Sequence, residues 1–124
     1  MLARSEISNL IGKPFIAEKD GYAWGCLAPM YEILPETLKF RYPVSEDKNM
    51  LQYFKQFCKE LSPDEEMMYG DILIIKLPKN QWHLMVYVGE GKAVHCTGHI
   101  DTEIVLVDKY KSRLKGVFRY GWCC

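Results

Sequence analysis

The stretch WHLMVYVGEGKAVHC, residues 82–96, decides how the chain is read. Two runs rich in branched and aromatic residues flank Gly89-Glu90-Gly91, the composition of two antiparallel strands joined by a three-residue hairpin loop with a glycine for a left-handed position. With Val88 opposite Lys92, His95 falls opposite Met85, and His83 becomes its diagonal neighbour on the same face, about 7 to 8 Å away between backbones. Leu84, Val86, Val88, Val94 and Cys96 alternate onto the other face as a nearly unbroken apolar set that calls for burial. His83 and His95 are thereby set apart from the core.

An imidazole titrates near neutral pH and serves best as a general base when a second group holds its other nitrogen in one tautomer. His83 as base with His95 behind it meets that need. The plain alternative is a pair of partly exposed strand residues. Zinc is a competing chemical reading, but it needs a third or fourth ligand, and His99 or Cys96 would have to swing in from a turn and from the opposite face. Neither a metal nor an organic cofactor is expected.

Working outward, DILIIKL before the hairpin and EIVLVD and GVFRYGW after it read as further strands. The first half is helical. Ser5 can cap a short helix carrying Ile7, Leu10 and Ile11, which Gly12 and Pro14 end, and a loop follows to about Tyr22. Residues 23–34 show a helical pattern that contains Pro29 and is closed by Pro35. A second helix over residues 46–61 starts after Ser45, with Met50, Leu51, Phe54 and Cys58 near helical spacing as core. Asp71 after Gly70 reads as a turn residue opening a strand, and Trp24 as packing. Helices followed by strands predict an α+β domain, with helices on one face of a mostly antiparallel meander.

The length of 124 residues suits one domain spanning 1–124, burying about two thirds of the surface of its unfolded form. Sixteen basic side chains offset sixteen acidic ones, so neither nucleic acid nor an anionic membrane is expected as a partner. The start, MLARSEISNLIGKPF, has no apolar run of signal-peptide length, which predicts cytoplasmic synthesis and delivery by another agent if the protein acts outside. Five cysteines, with Cys123 and Cys124 adjacent, do not suggest a closed disulfide framework.

GKPF near the start, the segment GYAWGCLAPMY over residues 21–31, GDILII and HLMVYVGEGKAVHC together resemble the NlpC-type cysteine peptidases. These are papain-like enzymes that cut peptide bonds in bacterial cell walls, and the likeness is to the variants carried in phage tails. In that family a histidine, an apolar run, a Gly-x-Gly turn and a second polar residue twelve positions after the first form the strand motif. His83 and His95 match both positions, which implies that His83 is the base and His95 its orienter. The family's helix motif looks like Tyr-Asp-Cys-Trp-Gly-Leu-Val, then three residues and a tyrosine. Laid without gaps it pairs Trp24, Gly25 and Tyr31 with their counterparts, puts Ala23 at the nucleophile position and Tyr22 at that of the aspartate.

Cys26 is the alternative nucleophile, three residues on and about 5 to 6 Å away on nearly the same helix face. It requires a helix that starts later, as Pro29 would favour in a first turn. The fixed spacing from Trp-Gly to tyrosine favours the ungapped reading, in which Cys26 is a small buried hydrophobe. Ala23 is then the nucleophile position without its thiol, through engineered or natural inactivation.

The resemblance implies a papain-like fold and a thiolate that attacks a scissile amide, with backbone N–H groups at the helix start, including that of position 23, holding the oxyanion. It implies the stem peptide of peptidoglycan as substrate, often at a bond from γ-linked glutamate to a diamino acid. It also implies action at the cell wall and a phage tail or other delivery protein as partner. With Tyr22 in place of the aspartate, the group expected to meet a free substrate amine is missing. A noncatalytic wall-binding or tail module of the same fold is the rival reading. Lipid-acting relatives place histidine before cysteine, the reverse of the order here.

Overall fold

The computed structural model describes residues 1–43, 50–97 and 101–121. Ser45, the predicted helix start at 46, His99, Cys123 and Cys124 lie outside them. The chain opens with a 3-10 turn, Arg4–Asn9, and a hairpin of β1 (Glu18–Lys19) and β2 (Tyr22–Ala23). A 3-10 turn, Gly25–Leu27, then runs into α1 (Ala28–Ile33), followed by α2 (Met50–Phe54) and β3 (Cys58–Glu60). β4 (Ile72–Leu77), β5 (Gln81–Gly89), β6 (Lys92–His95), β7 (Glu103–Leu106) and β8 (Leu114–Tyr120) complete it. Strands β3 to β8 form one six-stranded sheet in the order β3-β8-β4-β5-β6-β7, antiparallel throughout. This is an α+β arrangement with few helices. The predicted meander holds from β4 to β7, but β8 returns to the far side of β4 and β3 lies outside it. No helix among the described residues is long and apolar enough to cross a membrane.

The run Ile72 to Ile75 is fully buried because the sheet is covered on both faces. Ile72 and Ile74 join Leu84, Val86, Val94 and Phe118 beneath Leu27, Met30 and Ile33 of the helical layer. Leu73 and Ile75 join Met85, Ala93 and Val107 on the other side, where Tyr110 and Leu114 pack against them. The second layer is the 3-10 segment Val107–Arg113 rather than solvent. A strand buried on both faces loses its alternation, so the continuous apolar run at 72–75 is the sign of a second covering layer that the one-sided expectation leaves out.

Several local expectations give way to competing turn chemistry. Residues 23–34 are not helical from their start. Ala23 is in β2, paired with Glu18 across Asp20-Gly21, whose φ values of 53° and 84° suit a two-residue turn of the I′ kind. Pro29 lies in the first turn of α1, where a missing N–H costs nothing. The predicted three-residue loop is also two-residue: Gly89 pairs with Lys92, and Glu90 and Gly91 both take positive φ. Gly89 itself has φ 100°, and a Cβ there would stand 1.8 Å from the Arg4 guanidinium, which donates to the Val88 carbonyl. Ser5 is inside its 3-10 turn rather than capping it, and Ile11 is exposed. Cys58 to Glu60 leave the predicted second helix to pair with β8.

Asp71 is a structural anchor. Its buried carboxylate takes two 2.8 Å hydrogen bonds from the Arg119 guanidinium and one of 2.7 Å from the Met68 N–H, tying the start of β4 to β8. Asp71→Ala removes the carboxylate that neutralises the largely buried Arg119 guanidinium, so urea unfolding should show a loss of about 3 to 5 kcal/mol. Asp71→Leu combined with Arg119→Met should recover most of it. A loss below about 1 kcal/mol in the single variant would contradict this role.

Candidate functional site

Toward His83 and His95 the ladder between β5 and β6 ends at Val86 opposite Val94. The two side chains bridge the strands beyond that point. His83 Nε2 lies 2.8 Å from His95 Nδ1, with the rings inclined at 72°. His95 sits opposite Glu103 of β7, and its Nε2 lies 2.9 Å from the Glu103 carboxylate. Three side chains from three adjacent strands thus form one hydrogen-bonded row. By alternation His83 shares the face of Met85 and His95 that of Ala93, and the Tyr110 ring is 6.0 Å from His95. The shared face read from the sequence is therefore present, but both rings are buried, at 2% and 3% exposure, rather than partly exposed.

Burial, reinforced by the neighbouring His95, pushes His83 from its ordinary 6.5 down to about 3. The ring is neutral near physiological pH and keeps a lone pair that can take a proton. Sequence reasoning did not find Glu103. Strand β7 is legible in the sequence, but the residues between it and β6 hide the register, and the available signal is a carboxylate at the near end of the next antiparallel strand.

At the helix start, Ala23 is half-buried and packs against the helix-side core. Its N–H, expected to face an oxyanion, donates to the Tyr42 carbonyl at 2.8 Å, and those of Trp24 and Gly25 donate to Ala17 at 2.9 and 3.3 Å. Cys26 lies in the Gly25–Leu27 turn and packs against the same core. Burial pushes its thiol up to about 11, outweighing the lowering effect of the Leu84 N–H and its own N–H, while Cys96 nearby raises it further. Cys26 thus meets β5 at the residue next to His83, but on the opposite face. No hydrogen bond joins the two among the described residues.

The magnitudes decide what Cys26 can do here. A thiol that holds its proton to about 11 beside an imidazole that accepts one only near 3 leaves the thiolate and imidazolium on the order of 10 kcal/mol above the neutral pair. Cys26 is a protonated, packed thiol in this arrangement. The Trp24 and Tyr31 rings pack 5.1 Å apart, tilted at 37° to each other.

Beside position 23 lies a small cavity of about 90 Å³ lined by Lys19, Asp20, Tyr22, Trp24, Leu38 and Arg41. The Arg41 guanidinium stands 5.3 Å over the Tyr22 ring and the Lys19 ammonium 4.8 Å over the Trp24 ring. Cys96 is buried on the helix side, and no group of three or more His, Cys, Asp or Glu that could hold a metal occurs among the described residues. Comparison with models of known protein families finds no match for the chain, and comparison with curated proteins finds none.

The neutrality of His83 has a consequence for stability. Its folded value lies below the unfolded one, so between pH 6.5 and about 3 the unfolded chain binds a proton that the folded chain refuses. Stability should be unaffected by this group above pH 6.5 and should fall by up to about 1.4 kcal/mol per pH unit below it. In urea titrations from pH 7 to 4, His83→Gln should give a shallower acid slope than the parent chain. Identical slopes would show that His83 titrates alike in both states.

Proposed function

We propose that this chain is a hydrolase domain of the papain-like NlpC kind, built to cleave peptide bonds of bacterial cell-wall peptidoglycan, with Ala23 standing where a nucleophilic cysteine belongs. The row His83, His95 and Glu103 carries this reading. Two imidazoles withdrawn from water are unfavourable unless hydrogen-bonded, and these are bonded in line, so that one ring backs the other. Strand packing alone would be served better by apolar residues.

For a thiol at position 23 to act, it has to come round the end of β5 from the helix side, where Ala23 packs, to the His83 face; there His83 takes the S–H proton as sulfur bonds the scissile carbonyl carbon. The tetrahedral intermediate collapses by breaking the C–N bond, and the leaving amine takes the proton from His83. Water, deprotonated by the same ring, then releases the acid and restores the thiol. The aromatic flank of position 23 presents Lys19 and Arg41, so a free substrate amine finds two cations there as well as Asp20. Delivery to the wall by a phage tail or another carrier belongs to this proposal and rests on the motif resemblance.

One observation favours a second reading. The amides of Ala23, Trp24 and Gly25 are all engaged by carbonyls, which leaves no oxyanion donor at those three positions and suits a noncatalytic wall-binding or tail module of the same fold.

Restoring Ala23→Cys and assaying a γ-glutamyl-diamino acid tetrapeptide separates the two. Turnover should appear in Ala23→Cys and fall on the order of 1,000-fold when His83→Ala is added. A folded Ala23→Cys protein that binds wall sacculi without turnover would establish the module instead. Turnover by the parent chain that is lost on Cys26→Ala would place the nucleophile at 26.

A further inference from the structure

The function of Glu103 follows from the direction of the protons in the row. A carboxylate can only accept hydrogen bonds, whereas a neutral imidazole donates through one nitrogen and accepts through the other. Glu103 Oε1 lies 2.9 Å from His95 Nε2, so that nitrogen carries a hydrogen. We take His95 as the uncharged ring, one donor and one acceptor, in which Nδ1 is then bare. It accepts across 2.8 Å from His83 Nε2, which fixes the hydrogen of His83 on Nε2 and leaves Nδ1 with the lone pair. We infer that Glu103 is a positioning residue that sets which nitrogen of His83 is free to take a proton, acting through His95 from the neighbouring strand.

This role rests on the hydrolase reading only for its use in catalysis; the proton arrangement itself does not depend on turnover. The geometry suits it. Glu103 is held opposite His95 by the β6–β7 ladder, so the acceptor stands in register with the ring it orients. Its side chain is about half exposed, at 49%, and keeps contact with water, while both rings are buried. Among the described residues, the polar and aromatic groups set against His95 include Glu103 from β7, His83 from β5 and the Tyr110 ring from the 3-10 segment Val107–Arg113.

Nitrogen-15 correlation spectra of the imidazole rings of the full chain at pH 7, with Ala23 in place, test this directly. Both His83 and His95 should appear as neutral rings with hydrogen on Nε2. Glu103→Gln keeps an acceptor oxygen and should preserve that pattern. Glu103→Lys replaces the acceptor with a donor and should move the hydrogen of both rings to Nδ1. A parent chain with His83 protonated on Nδ1, a doubly protonated His95, or tautomers unmoved by Glu103→Lys would overturn the assignment, and the parent spectrum decides even if Glu103→Lys fails to fold.

Once Ala23→Cys turns over substrate, adding Glu103→Lys should lower kcat on the order of 100-fold with KM little changed, and Glu103→Gln should retain most of it. Ala23→Cys without turnover but with the expected tautomers removes the hydrolase reading and leaves the role of Glu103 intact.

Discussion

The two-residue period of β5 is the constraint from which the rest of the molecule follows. Leu84 and Val86 go to the helix side, where they meet Leu27, Met30 and Ile33, and His83 and Met85 go to the opposite side. A one-residue slip of β5 would put the His83 imidazole into the helix-side apolar layer and Leu84 into the hydrogen-bonded row. The pairing with β4, unbroken from Ile72 opposite Val86 to Leu77 opposite Gln81, holds that register. Large apolar residues on both sides make any slip costly, so the position of the histidines is enforced by the core rather than by their own contacts.

The row then uses what the core provides. Backbone pairing of β5 with β6 stops short of His83 and His95, and side-chain hydrogen bonds continue where main-chain ones end. The same alternation keeps Cys26 from the imidazoles. It reaches β5 at Leu84, only one residue away, yet one residue along a strand is a change of face. A buried imidazole row lies on one side of β5 and a protonated thiol on the other, and the proposed reading of Ala23 as an emptied nucleophile position draws on that separation.

Much of this was legible in the sequence, where local pattern and tertiary demand agree. Alternation from Trp82 to Cys96 named the apolar face and the shared face of the histidines, and the run at 72–75 announced a strand. Legibility failed where a stronger local signal competed. Asp20-Gly21 is turn chemistry that makes β2 of residues the helical pattern also claimed, and Pro29 marked the true first turn of α1. Cys58 has helical spacing from Phe54, but the open edge of β8 recruits it into a strand. Glu103 was hidden because its importance lies in cross-strand register, which no local periodicity records.

A direct titration of the His83 ring protons by NMR from pH 7 to pH 4 bears most closely on the buried row and its neutral His83 ring. The ring should hold its neutral chemical shifts across that range, taking a proton only as the pH nears about 3. A midpoint close to the ordinary 6.5 would mean that His83 is open to water and free of the pairing described above, and the account of the site would fail with it.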